Sequence, residues 1–317
     1  LIRSYPSLRG DAVGDVIVLG AGITGALLAD ALSAEGLSVL VLDKRDVAAG
    51  STSASTALLQ YEIDTPLYEL AELHGRAAAE RAYWLCHEAI DRLERLAAEL
   101  PESVGFQRKK SVYLASREED LPGLEREFNA RREAGFEVDF LGALEIGERF
   151  SFTRPGAILS SQAAEVNAYR LTHALLARAQ SQGARIYDRT EVAGFDTSGG
   201  VASVRTQDGY SVSGGHLVVA TGYEYRQFLP KNVVDLQSSF ALVSEPLEDF
   251  SGWWEKALLW DTARPYFYLR TTVDGRAIIG GEDDPFHSAS RRDAQVKKKA
   301  RRLRERFEEL FPRIPLE

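Results

Sequence analysis

The chain of 317 residues contains no methionine and one cysteine, Cys86. A lone thiol closes no intrachain disulfide and builds no thiolate metal cage, which points to a reducing compartment, by default the cytoplasm. No run of about 18 apolar residues occurs, so no membrane-spanning helix is expected. The five histidines (His74, His87, His173, His216 and His287) lack H-E-x-x-H or any other ligand spacing, and no metal site is expected. No G-x-S-x-G elbow supports a serine hydrolase. The first fourteen residues lack the basic start and apolar core of a signal peptide and read as a leading arm. Average methionine usage of about 2% would put roughly six in a chain this long. With a start at Leu1, their absence reads as the mark of a piece of a longer product.

What is present is ordinary for a globular protein: 44% hydrophobic, 27% charged and 9% aromatic residues. That excludes disordered, collagen-like and disulfide-rich classes, and the length suggests two domains or one interleaved pair. Lys and Arg number 38 against 47 Asp and Glu, a net charge of −9, so no surface-wide phosphate binding and no nucleic acid partner is expected. Residues 291–306 depart from this with nine basic and two acidic residues, a local +7. Within them and just beyond, Val296, Ala300, Leu303, Phe307 and Leu310 recur at steps of four and three. That spacing predicts an amphipathic helix with one apolar stripe and one charged face. The charged face reads first as a solvated surface, and second as a weak contact with an acidic partner or an anionic membrane surface.

Residues 15–19 (Asp15, Val16, Ile17, Val18, Leu19) form a short apolar run of the kind buried in a parallel sheet. A glycine loop, an alanine- and leucine-rich stretch to Glu35 and a second apolar run at 38–42 follow. Strand, helix and strand within about 30 residues make a βαβ unit. Residues 50–60 are small and hydroxylated. A helix is predicted over 66–100, with Leu85, Ala89, Leu93, Leu96 and Leu100 on one face. Strands at 111–115 and 136–141 flank a charged helix at 118–134, and 167–182 again reads as helical. A β-meander is expected over 184–220, its strands separated by glycine turns, the last before HLVVA, with strands at 240–243, 266–271 and 277–279 after it.

The loop reads Gly20-Ala21-Gly22-Ile23-Thr24-Gly25, with Asp43 at the end of the next strand, 23 positions after Gly20. G-x-G-x-x-G between a strand and a helix, followed by such an acid, is the dinucleotide fingerprint. The first glycine makes the tight turn, the second lets backbone approach a pyrophosphate, and the third lets helix and strand pack closely. The helix N-terminus stabilises the phosphate charge, and Asp43 would accept hydrogen bonds from a ribose diol. A P-loop fails, because Ala26 and Leu27 stand where Lys and Ser/Thr are needed. The hydroxyl-rich loop 50–58 and a second buried strand ending at Ala220-Thr221-Gly222 favour FAD over NAD. Lys44 and Arg45 leave NADP, and with it an NAD(P)-dependent reductase, as the other nucleotide reading.

VIVLGAGITG, VLDKRDVAAGSTSASTALL, AEVNAYRLTHALL, LVVATG and YFYLRTTVDGRAIIGGEDD occur in this order. Over nearly its whole length the chain resembles the FAD-dependent oxidoreductases of the D-amino acid oxidase and glycine oxidase family. The resemblance implies an α/β chain (α+β overall): a Rossmann-type FAD-binding domain from 12–75 plus 150–232, interleaved with a substrate domain from 76–149 plus 233–317. The second domain is built on an antiparallel or mixed sheet with flanking helices. In the first, Asp43 and Lys44 match adenosine-side residues, and Ser51, Thr52, Thr56, Ala57 and Leu58 match the flavin-side loop. Val192 matches a position whose backbone meets the adenine, and Thr221 and Gly222 match a second cofactor turn. Family members continue past the helix ending near Phe311 into a cofactor-facing segment, which is absent from this sequence.

The resemblance implies oxidation of a C–N bond in a small amine or amino acid to an imine, with a flavin-binding protein without catalysis as the other class. An amino acid carboxylate calls for a bidentate arginine. Residues 265–271 resemble the substrate-domain strand facing the flavin, which makes Arg270 the first candidate and Arg264 the alternative. On a strand, Tyr266, Tyr268 and Arg270 share a face opposite Phe267 and Leu269.

Overall fold

The computed structural model describes residues 2–228, 231 and 233–316. In chain order the elements begin with β1 (Ala12–Leu19), α1 (Ile23–Ala34), β2 (Val39–Leu42), β3 (Leu58–Gln60), α2 (Leu67–His74) and α3 (Arg76–Glu99). There follow β4 (Gln107–Leu114), α4 (Leu121–Glu133), β5 (Val138–Gly142), α5 (Ala143–Arg149), β6 (Gly156–Glu165) and α6 (Ala168–Ser181). The chain ends with β7 (Arg185–Tyr187), β8 (Val192–Asp196), β9 (Ala202–Thr206), β10 (Ser211–Val219), β11 (Gln237–Val243), β12 (Leu258–Asp261), β13 (Phe267–Thr271), β14 (Ala277–Pro285) and α7 (Ala289–Leu310). They pack as two interleaved compact units. The first holds Leu1–Ser55, Ala97–Val104 and Asn167–Val234; the second holds Thr56–Leu96, Gly105–Val166 and Asp235–Glu317. Residues 56–75 and 150–166, assigned above to the cofactor domain, pack in the second unit, because β3 pairs with β6 and β6 with β4.

The first unit is a six-stranded sheet ordered β7-β2-β1-β10-β9-β8. β1 lies parallel between β2 and β10, so Val18 faces Val41 on one side and Val218 on the other. Val16 to Leu19 and Val39 to Leu42 are buried at every position, so both faces of these strands are covered, which explains the continuous apolar runs. Ile17, Leu19, Leu40 and Leu42 join Val204 and Val212 in one core. The leading arm is part of this unit rather than outside it: Tyr5 and Leu8 are buried. Their backbone N–H groups donate to Asp188 and to the Thr190 hydroxyl (2.8 and 3.0 Å), and β1 starts at Ala12.

The meander expected over 184–220 is narrower. β7 leaves it to pair in parallel with β2, and Arg189 adopts a left-handed φ of 45° at the break before β8. Conversely, β10 runs unbroken through Gly214 and Gly215, which looked like a turn. Gly214 packs so closely on the Gly14 carbonyl that a Cβ would come within 2.9 Å, so the glycine serves strand contact instead of reversal.

The second unit is an eight-stranded mixed sheet ordered β11-β14-β13-β12-β4-β6-β3, with β5 also on β6. All its pairs are antiparallel except β12 with β4. Val112, Leu259, Phe267, Leu269 and Ile279 project to one face and pack on Leu303, Phe307 and Leu310 of α7. The 66–100 helix is two helices, broken at Gly75 with φ 85°. Its buried stripe also differs: Leu85 is exposed, and Tyr83 and Ile90 take the interior beside Phe136.

In α7 the apolar stripe is shifted as well. Val296 is 49% exposed, while Lys299 is buried one turn before Leu303. The Lys299 ammonium donates to the Glu282 carbonyl and pairs with Asp284, both at 2.8 Å. Arg302 and Arg306 pair with Glu282 and Asp261, Arg292 and Arg301 pair within the helix, and Arg304 donates to the Leu316 carbonyl. Only Arg291, Lys297 and Lys298 make no such contact among the described residues, so the expected basic face is mostly committed internally. Among the described residues no helix is long and apolar enough to cross a membrane.

Candidate functional site

The glycine loop closes where β1 hands over to α1. The Gly20 N–H donates to the Leu42 carbonyl (2.8 Å), and Gly20 has φ 104°. A Cβ there would lie 2.5 Å from the Ala220 carbonyl oxygen, and one on Gly25 would overlap the Gly20 carbonyl oxygen. Sterics therefore demand glycine at both places. Gly22 caps α1, and a Cβ on it would come 3.0 Å from the Thr52 hydroxyl. That hydroxyl accepts the Ile23 N–H (3.0 Å). Thr24 is exposed in the first helical turn, and Ser51 is exposed in the short turn Ser51–Ala54.

Asp43 ties this loop to the end of β2. One carboxylate oxygen accepts the Ala21 N–H (2.7 Å) and the other the Arg45 N–H (2.8 Å). Burial raises its carboxyl above the ordinary range, and the two N–H donors pull the other way. Each oxygen retains a lone pair for a further donor. The Thr190 N–H donates to the Asp43 carbonyl (2.7 Å), which brings Val192, two residues on at the start of β8, to the same end of the sheet. Lys44 and Arg45 both pair with Glu224. The cations that left NADP open are thus already neutralised, and a 2′-phosphate would have to displace a carboxylate.

Three features fit a dinucleotide here. Backbone occupies the places where side chains would block a pyrophosphate. α1 has no acidic residue in its first turn, so its positive end is uncompensated by the chain. The Thr221 hydroxyl, beside Gly20, is buried without a hydrogen-bond partner among the described residues, and Gly222 follows with φ 58°. A buried hydroxyl left unpaired costs stability unless a ligand completes it.

The chain matches the FAD dependent oxidoreductase family over residues 15–317. It belongs to that family. FAD is therefore its cofactor. It is 29% identical to the glycine oxidase of Geobacillus kaustophilus (strain HTA426) over 220 residues, 66% of this chain and 51% of that protein. It is 27% identical to one of the opine oxidase polypeptides of Agrobacterium tumefaciens (strain Ach5) over 230 residues, 68% of this chain and 58% of that one. The chain thus spans little more than half the length of these relatives. In fold it is similar to the crystal structure of the Geobacillus kaustophilus glycine oxidase, with a TM-score of 0.76 at 20% identity, covering 96% of this chain and 81% of that one.

The substrate-side candidates lie in the second unit. Tyr268 and Arg270 face away from the core that holds Phe267 and Leu269, as strand alternation requires. Tyr268 lies over Gly280, where a Cβ would overlap its ring, and burial raises its phenol above the ordinary value. Beside it Tyr113 and Trp260 stack at 3.7 Å, and the Trp260 indole donates to the Ser111 hydroxyl (3.0 Å). The Tyr266 hydroxyl donates to the Asp64 carbonyl (3.3 Å).

Arg270 differs from its expected role as a free carboxylate anchor. It is 5% exposed. Its guanidinium donates from Nε to the Thr56 carbonyl, from Nη1 to the Thr271 carbonyl (2.9 Å) and from Nη2 to the Val166 carbonyl (3.4 Å). Nη1 also pairs with Glu165 at 3.6 Å. Burial lowers its pKa more than the Glu165 charge restores it. Three of its five N–H donors are thus spent on backbone carbonyls, and the group is buried beside an acid instead of standing free. Arg264 is exposed, stacks 3.6 Å over the Tyr266 ring, donates from Nη1 to the Thr262 and Ala263 carbonyls, and forms no ion pair among the described residues. Its Nε and Nη2 edge faces no carboxylate among them.

Sequence reasoning missed Glu165 and Lys109. Glu165 is buried and Lys109 half-buried, and they pair at 3.6 Å, yet 56 positions separate them and no motif joins them. The available signal was a charged pair, Lys109-Lys110, inside a strand pattern that becomes apolar from Val112. Among the described residues no group of three or more His, Cys, Asp or Glu could hold a metal ion.

Proposed function

We propose that this chain is the FAD-holding, substrate-oxidising part of an amino acid or amine oxidase or dehydrogenase. The observation that carries the proposal is the glycine cradle facing the unpartnered Thr221 hydroxyl, within a chain that belongs to the FAD dependent oxidoreductase family. The glycine oxidase and opine oxidase relatives support oxidation next to nitrogen. When bound, FAD supplies a two-electron acceptor for the C–H bond beside the substrate nitrogen.

The chain's own residues divide the remaining work. Gly20, Gly22, Gly25 and the start of α1 at Ile23 and Thr24 hold the pyrophosphate, the Ile23 amide being held in place by the Thr52 hydroxyl. Asp43 holds the ribose, with Lys44 at its side, and Val192 offers backbone to the adenine. Ser51, Thr52, Thr221 and Gly222 hold the middle of the cofactor, and Thr56, Ala57 and Leu58 the flavin edge. Tyr266, Tyr268 and the Tyr113–Trp260 stack form an aromatic wall for the substrate. Arg264, with a free guanidinium edge, takes the carboxylate in a bidentate pair, replacing Arg270 in that role. Alignment of the C–H bond then needs only this anchor and wall.

Purified protein with FAD should absorb near about 370 and 450 nm, and an anaerobic panel of amino acids and amines should bleach these bands. Arg264→Gln should raise KM for amino acid substrates by roughly ten- to a hundred-fold, the cost of a lost charge-assisted pair, and leave FAD bound. A colourless protein that FAD cannot reconstitute would end the proposal. A coloured protein that no substrate bleaches would instead mark a flavin-binding protein without catalysis.

A further inference from the structure

The strand β3 begins directly after Ala57, which sits at a left-handed φ of 51°, a conformation a non-glycine residue adopts only when its surroundings enforce it. β3 is three residues long and half-buried, and pairs on β6 alone, so β3 itself holds this segment weakly. The Arg270 guanidinium supplies what the strand lacks. It reaches across from β13 to the Thr56 carbonyl, and the same group bonds the Val166 carbonyl beyond the end of β6 and the Thr271 carbonyl of its own strand.

Behind it lies Glu165, 1% exposed, whose two carboxylate oxygens accept no hydrogen bond among the described residues. At 3.6 Å from both the Arg270 Nη1 and the Lys109 ammonium, it acts on them by charge. Lys109 in turn donates to the Thr271 hydroxyl (3.1 Å). In the β3–β6 register Glu165 stands opposite Leu58, so the acid sits on the segment that its arginine clamps. A buried carboxylate is tolerated only beside compensating cations, and here the two cations also bond the surrounding strands.

We propose that Arg270 is a positioning residue for the flavin: with Glu165 and Lys109 behind it, it fixes the backbone of 56–58, and it does not touch substrate. This rests on the reading that 56–58 meets the flavin edge. It accounts for the expense of a buried arginine and glutamate with a half-buried lysine at one point of a sheet where apolar residues would pack more cheaply.

The test uses Arg270→Gln and Arg270→Lys in the FAD-loaded protein and in apoprotein. Amide hydrogen exchange across 56–60 should rise in apo Arg270→Gln while the rest of the sheet keeps its protection. The FAD dissociation constant should rise at least about ten-fold, equal to about 1.4 kcal/mol. The bound-flavin absorption bands should shift, Arg270→Lys should recover part of both effects, and KM for the substrate should stay near wild type. A KM raised ten-fold with unchanged FAD affinity and unchanged exchange would overturn the proposal and restore Arg270 as the substrate anchor. Exchange rising throughout the second unit in both variants would overturn it too, as plain loss of stability. If wild-type protein takes up no FAD, the functional reading fails by itself. In that event a localised exchange increase still supports the clamp, and unchanged exchange still overturns it.

Discussion

The backbone of Gly25 lies against the carbonyl of Gly20 so closely that a single added Cβ would overlap that oxygen. The contact locks the first turn of α1 onto the end of β1 and leaves backbone alone around the space that the family gives to a pyrophosphate. We expect Gly25→Ala to push α1 off the sheet, at an overpacking cost of about 1–3 kcal/mol. FAD retention, read as the ratio of flavin to protein absorbance, should collapse together with a lowered melting temperature. A variant with full flavin content would show that the helix can slide without consequence.

Thr221 carries a hydroxyl that is buried and unpartnered among the described residues. Its replacement by the isosteric valine removes an unsatisfied polar group, so apoprotein stability should hold or improve by up to about 1 kcal/mol. FAD affinity should fall at the same time. Calorimetry of apoprotein beside a FAD titration separates the two effects, and a loss of apoprotein stability would mean the hydroxyl has a partner within the fold.

Arg131 is buried between two buried acids, Glu127 (2.6 Å) and Glu62 (3.0 Å), and the second Glu62 oxygen has no partner among the described residues. Three tyrosine rings, those of Tyr61, Tyr83 and Tyr113, surround the guanidinium within 6.0 Å. Burial raises the Glu62 carboxyl above its ordinary 4.5, against the opposing pull of Arg131. The folded state therefore keeps this proton to higher pH than the unfolded chain does. The contribution of Glu62 is most favourable below 4.5 and declines as pH rises from there through its raised value. Glu62→Gln should flatten that decline, and it should leave stability at pH 7 unchanged or higher because Glu127 still neutralises Arg131. Urea midpoints measured across pH 4 to 8 decide it: a Gln variant with the wild-type slope would refute the assignment to Glu62.

Much of the first unit was legible because its signals are local. Asp15 to Asp43 carries a buried run, a glycine loop at fixed offsets, a helix and a second run ending in an acid, and each of these has a meaning within a few residues. Gly20, Gly22 and Gly25 fall where that spacing requires backbone without side chains. The order of later segments, from AEVNAYRLTHALL to AIIGGEDD, was enough to point to the family that the comparison then established. Periodicity also separated Tyr268 and Arg270 from Phe267 and Leu269, since alternation along a strand is geometric.

Only the tertiary structure decided what the faces meet. Arg270 reads as a substrate anchor until the strands bring Thr56, Glu165 and Val166, distant in sequence, around its guanidinium. Lys299 interrupts an apolar stripe that spacing ran through Val296, because Asp284 and the Glu282 carbonyl are waiting on β14. The glycines at 214 and 215 read as a turn until the parallel strand β1 passes so close that Gly214 has no room for a side chain against the Gly14 carbonyl. In each case the residue's own chemistry is fixed by its identity. Whether its charge is free or spent, and its face wet or dry, depends on partners that the chain supplies from far away. The sequence by itself determined the cofactor loop and the family; the packing of distant strands decided that Arg270 is buried among backbone carbonyls while Arg264 stays exposed.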